Sequence, residues 1–146
     1  MEKRTKLDLE RIIFIGRTFR EYLDHRMLTL EDCANDMKDY RERYVPVSLP
    51  ILPYRDEEFD ILLSAHFLFT YADRLDYPFH METLHELLRV TKGEVRLFPL
   101  VDLEGKRYEF LDEIICYLQG TGYFVEEIKS RYEFQGNANS MLRIVK

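Results

Sequence analysis

His66 is the side chain in this sequence best placed to move a proton. Imidazole titrates near neutral pH, and His66 follows an apolar run at residues 59–64 that reads as a strand. A histidine there can equally cap a following helix or bond a backbone carbonyl. Tyr71, Asp73 and Arg74 come one to two helical turns later, where they line a pocket for a small molecule or simply end a helix. Arg89 and Arg96 suit an anionic group, although Arg89 also reads as an ion-paired surface residue. His80 and His85 stand five apart rather than four, with no companion ligand spacing, so no metal site is expected. Cys33 and Cys116 are far apart, outside any metal spacing, and read as reduced, buried thiols. No Ser/His/Asp order, phosphate loop or paired-cysteine motif points to a hydrolase, kinase or redox enzyme.

The elements that must carry these residues follow from periodicity. Residues 7–24 space Leu9, Ile12, Ile15, Phe19, Tyr22 and Leu23 as on a helix, with a strand at 12–15 turning at Gly16 as the rival. Thr29 reads as the N-cap of a second helix running through Cys33, Ala34, Met37 and Tyr40. Three prolines, Pro46, Pro50 and Pro53, enforce an extended path near 44–54. Residues 59–64 then form a strand with little polar alternation, as in a parallel sheet covered on both faces. A helix follows through Phe67, Leu68, Tyr71 and Leu75, and another from Pro78 that Gly93 ends. A strand at 94–98, a strongly amphipathic helix at 107–119 and strands at 123–130 and 140–145 complete the chain, with a turn at Gly136-Asn137. The order implies an α/β fold, mostly parallel, with an antiparallel C-terminal edge strand. One domain of 146 residues is expected: a helical segment at 1–43 and the α/β part at 44–146.

The net charge is −6, and residues 1–45 hold ten basic and ten acidic side chains, so no basic face for nucleic acid is expected. No apolar run approaches membrane-spanning length. Charges at Asp8, Glu10 and Arg11 interrupt any signal-peptide core, so a cytoplasmic protein is expected.

The stretch Leu49-Pro50-Ile51-Leu52-Pro53-Tyr54-Arg55-Asp56-Glu57-Glu58-Phe59-Asp60-Ile61-Leu62-Leu63-Ser64 resembles the signature that leads into the fourth strand of class I S-adenosylmethionine-dependent methyltransferases. Residues 63–71, 86–90, 94–100, 132–136 and 139–142 are similar to a group of bacterial methyltransferase-like proteins. The resemblance covers about 100 residues, the C-terminal half of a Rossmann-like methyltransferase sheet. It implies S-adenosylmethionine as cofactor, beside Leu49, Leu52, Ser64, Ala65 and Phe67. It implies a small-molecule acceptor near Tyr71, Arg74 and Arg96, and His66 as the base. Phe67, Phe69 and Tyr71 would stack on adenine or face the sulfonium, or else pack in the core.

The chain departs from the family where the cofactor is usually held. No glycine lies between Gly16 and Gly93, so the glycine-rich turn that lets backbone approach the cofactor is missing. The acidic residue expected after the second strand is missing too. Residues 16–23 are similar to the segment that precedes the glycine-rich strand, as though an internal stretch were deleted. The strand at 59–64 would then present an open edge. The N-terminal helices, residues 45–49 or a second copy of the chain would cover it, and a homo-oligomer is expected.

Overall fold

A computed structural model describes residues 19–131, 133 and 135–146. The expected helix or strand before residue 19, and the family-like Tyr132 and Phe134, lie outside the described residues. The chain separates into two compact units, Met1–Pro46 and Val47–Lys146.

In the first unit one helix, α1, runs without a break through Phe19–Asp39. Thr29 is therefore no N-cap. Its hydroxyl donates to the carbonyl of His25 at 2.8 Å, which satisfies the side chain inside a helix and removes the reason for a boundary. The helix ends in a 3-10 turn, Arg41–Arg43. Asp36 ties that turn back, accepting from the Tyr44 hydroxyl at 2.5 Å and from Arg43 at 3.2 Å. Cys33 is exposed, not buried.

The second unit is an α/β layer with a four-stranded mixed sheet. Its elements are β1 Phe59–Ala65, α2 Tyr77–Val90, β2 Thr91–Phe98, α3 Leu111–Gly120, β3 Phe124–Lys129 and β4 Ser140–Val145. The sheet order is β1-β2-β4-β3. Only β1 and β2 pair in parallel; β4 is antiparallel to both of its neighbours. The antiparallel strand is thus inserted in the sheet, and the edges are β1 and β3. The physical reason is connection length. The link from β3 to β4 is short enough for antiparallel return, whereas β1 to β2 carries a whole helix as a parallel crossover requires.

Asp76 caps α2 by accepting from the Phe79 amide at 2.9 Å, with Pro78 in the first turn. A Schellman arrangement closes α3: Tyr123 N–H bonds the Leu118 carbonyl and Gly122 N–H that of Gln119, with Gly122 at φ 100°. The stretch 66–75 forms consecutive turns rather than the expected helix. Both helices turn their apolar stripes toward one sheet face. Leu84, Leu87 and Leu88 of α2 and Leu111, Ile114 and Leu118 of α3 share a core with Val95, Leu97, Leu142, Ile144 and Val125. Cys116 lies off the α3 stripe and is exposed.

The expectation of a strand buried on both faces fails for β1. Leu62 packs against the core, but Ile61 and Leu63 alternate to the other face and are 47% and 69% exposed. Within this unit residues 47–49 do not pair with β1; Ser48 instead bridges Ile51. On that outer face Glu94 pairs with Arg96 and Arg143, and Arg143 also with Glu126. The two arginines sit directly opposite each other on β2 and β4. Glu94 between them is held below the usual carboxylate range by its bonds to Arg143 and Arg96. Among the described residues, no helix is long and apolar enough to cross a membrane.

Gly93 does not end α2; it lies inside β2, where the β1–β2 register shifts. A Cβ on Gly93 would stand 2.5 Å from the backbone oxygen of Asp60, whereas one on Gly120 meets nothing within 4 Å. Gly93→Ala should therefore cost about 1–3 kcal/mol in urea unfolding. Gly120→Ala, at the end of α3, should be neutral or add up to about 1 kcal/mol.

Candidate functional site

The carboxyl ends of β1 and β2 lie side by side, with Ala65 opposite Phe98. His66 follows at φ 57°, a left-handed conformation uncommon for residues other than glycine. Its amide donates to the Phe98 carbonyl at 2.7 Å, and its ring stands edge-on to Phe98 at 5.4 Å. This turns the chain out of the sheet at once, so the imidazole is exposed at the strand end. The turns that follow bring Phe67 and Tyr71 together, rings 6.5 Å apart. The Arg74 guanidinium lies 5.7 Å over the Tyr71 ring and pairs with Asp73 at 3.3 Å on the surface. Ser64, Ala65, His66, Phe67, Tyr71 and Arg74 therefore belong to one end of the sheet.

The other expected site residues do not join them. Arg96 points to the outer sheet face, bound to Glu94 at 2.6 Å. Leu49 and Leu52 pack their side chains against the core. Leu52 is fixed toward the opposite, amino-terminal end of β1. Its amide donates to Glu86 of α2 at 2.7 Å, and its carbonyl accepts from Arg89 at 3.4 Å. Arg89 bonds Glu86 through two nitrogens, at 2.7 and 2.8 Å, and Asp56 at 2.6 Å. The Glu57 amide completes the clamp on the Arg89 carbonyl at 2.8 Å. Arg89 is thus the ion-paired residue of the two readings, occupied by three acceptors rather than offered to an acceptor molecule. The bond to Arg89 is the main reason the Glu86 carboxyl falls from the usual 4.5 to about 2, assisted by the Leu52 amide against the opposing effect of burial.

His80 and His85 are separate. His80 is fully buried. Its Nδ1 lies 2.7 Å from the Asp76 carbonyl and its Nε2 3.0 Å from that of Leu68. Its ring stacks on Tyr108 at 4.5 Å and lies nearly parallel to Phe69 at 5.7 Å, and those two rings also touch each other at 5.2 Å. It pins the 66–75 turns to the start of α2. Burial pushes the Tyr108 hydroxyl up to about 12. Phe69 is core, 1% exposed. His85 instead meets the Tyr117 hydroxyl at 3.0 Å on the surface.

Among the described residues, a pocket of about 270 Å³ opens elsewhere, between the 100–107 loop and the strands β3 and β4. Arg107 and Glu127 on its wall are paired at 2.7 Å, and Asp112 takes the other Arg107 nitrogen. None of the expected site residues lines it. The clamp on Leu52 and the cage around His80 escaped the sequence reading. The first had a weak signal in the Glu86–Arg89 spacing of three; the second had none, because its acceptors are backbone carbonyls.

The chain is 37% identical over 128 residues to the "Uncharacterized protein MJ0045" of Methanocaldococcus jannaschii, in a match covering 88% of this chain and 55% of the relative. The chain thus spans about half the length of the curated relative it matches. No protein-family model matches the chain, and no solved structure matches it.

The clamp sets an acid dependence. The carboxyl of Glu86 is depressed in the folded chain, so its stabilisation is complete above the unfolded value near 4.5 and declines as pH falls toward about 2. Glu86→Gln should unfold at lower urea than the parent at pH 7. It should also lose less stability than the parent between pH 4.5 and 2.5, read from urea midpoints at each pH.

Proposed function

We propose that this chain is an S-adenosylmethionine-dependent methyltransferase-like protein of the cytoplasm that retains the C-terminal part of that fold. Methyl transfer to a small-molecule acceptor is the chemistry of the fold it resembles. The observation that carries this reading is the β1–α2–β2 unit with His66 exposed at its carboxyl end, because ligands of open α/β sheets bind outside the carboxyl ends of the strands. Apart from residues 132–136, which precede β4 in the sequence, the motif-bearing stretches of the resemblance fall on this unit, at the start of β4 and on the segment leading into β1.

The residues present do not fit the cofactor within one chain. Leu49 and Leu52, expected beside it, are spent on the core and on the clamp to Glu86. The pocket between the 100–107 loop, β3 and β4 is lined by none of the expected cofactor residues, and no glycine-rich turn offers backbone to the ligand. The exposed apolar edge at Ile61 and Leu63 favours a second reading, a non-catalytic remnant of the fold that acts as an oligomeric interaction or ligand-binding module.

Calorimetric titration with S-adenosylmethionine and S-adenosylhomocysteine separates the two. Micromolar binding at one ligand per chain, with methyl transfer weakened at least about tenfold by His66→Ala, supports the enzyme reading. Absence of heat at millimolar ligand supports the remnant.

A further inference from the structure

The turn at Gly136-Asn137 has no part in the proposed chemistry. It puts Asn137 on the wall of the pocket of about 270 Å³ between the 100–107 loop, β3 and β4. That volume lies near the lower end of the ~300–1,000 Å³ of ligand pockets, so it suits a small molecule. The pocket sits at the carboxyl ends of β2 and β3, the end of an open α/β sheet where ligands bind. Two loops far apart in the chain brace its rim. Asn137, at φ 67°, donates its Nδ2 to the Gly105 carbonyl at 3.3 Å, and Gln135 donates to the Asp102 carbonyl at 2.6 Å. Leu100 and Val101 form the apolar part of the wall, and Arg107, Glu127 and Ser140 the polar part.

The polar part has open acceptors. Arg107 donates one terminal nitrogen to Glu127 and the other to Asp112, both at 2.7 Å. An anion would have to displace a carboxylate from that fork. Glu127 accepts through Oε2 alone, which leaves Oε1 open. The Asn137 Oδ1 and the Ser140 hydroxyl are open too among the described residues. Ser140 stands opposite Lys129 and Glu127 opposite Leu142, so Ser140 and Glu127 are diagonal neighbours on one sheet face, about 7 Å apart. One guanidinium against the carboxylates of Glu127 and Asp112 leaves a negative charge. Three open acceptors beside that charge match a primary ammonium group, which has three donors and no acceptor.

We propose that this pocket binds a small primary ammonium compound, its ammonium group held by Glu127 and Ser140 and a short apolar body against Leu100 and Val101. The pocket shares no residue with the His66 end of β1, so this holds whether or not S-adenosylmethionine binds.

NMR titration of the isotope-labelled full chain at pH 7 with butylamine, a cation at that pH, should give saturable shifts at the Gly105, Asn137 and Ser140 amides. The dissociation constant should be about 1–10 mM, as for a probe of so few atoms. Butan-1-ol should bind at least about tenfold more weakly, and sodium butyrate should give no saturable shift at these amides. Glu127→Gln, which keeps an acceptor for Arg107 but removes the charge, should weaken butylamine binding about tenfold, and Ser140→Ala about threefold. Far-UV circular dichroism checks that each variant is folded, and Ser140→Ala carries the test where Glu127→Gln does not fold. No saturable shift with butylamine at about 100 mM, butan-1-ol or butyrate binding as tightly as butylamine, or folded variants that bind butylamine as the parent does would each overturn the proposal. The first leaves the pocket to solvent, the second makes it a neutral or an anion site, and the third moves the ammonium group away from Glu127 and Ser140.

Discussion

The α/β unit depends on one side chain, the Arg89 guanidinium at the end of α2. It is held by Glu86 and Asp56 and reaches the Leu52 carbonyl, while its own backbone carbonyl takes the Glu57 amide. Segment 47–58 has almost no regular structure, so its backbone groups need partners from outside. Arg89 and Glu86 supply them. The planar guanidinium can do this because it presents several donors in a fixed fork, which a lysine could not. By fixing 52–57 to the last turn of α2, the clamp sets where β1 begins beside β2. The register shift at Gly93 then lets the two strands approach without a clash at Asp60.

The sheet is built on unequal faces. One collects the apolar stripes of α2 and α3 into a single core. The other carries the Glu94–Arg96–Arg143–Glu126 network flanked by Ile61 and Leu63. Facing arginines on neighbouring strands would repel each other, and Glu94 reconciles them by accepting from both. The same alternation that sends Leu62 into the core sends Leu63 outward. An edge strand of this kind offers unpaired N–H and C=O groups to any further strand that approaches it.

The candidate site inherits its geometry from the turn at His66. A left-handed residue directly after a parallel strand is costly, and here the Phe98 carbonyl and ring hold it. Behind it, the buried His80 ring lies against two backbone carbonyls and two aromatic rings, which ties the turns that carry Phe67 and Tyr71 to the start of α2. Of the histidines after α1, one is thus consumed by structure, one is a surface contact with Tyr117, and His66 stands at the strand end.

The sequence by itself determined the elements with strong periodicity. The strand expected at 59–64, the Pro78 helix start, most of the helix expected at 107–119 and the two last strands are written in local spacing, capping chemistry and turn residues, although Arg107 bridges Val101 and the helix begins only at Leu111. The ion pairing of Arg89 was one of its two stated readings. Local pattern misplaced Thr29, whose hydroxyl is satisfied within the helix, and Gly93, whose role is set by the Asp60 backbone on another strand. It expected buried cysteines, because thiols are apolar, but could not know which helix face meets the core. Only the tertiary structure decided that β4 inserts beside β2, that β1 is open on one face, and that Leu52 and Arg96 are engaged away from His66. Those outcomes depend on pairings between residues far apart in the chain, where register and the choice of covered face, rather than local propensity, set the energy.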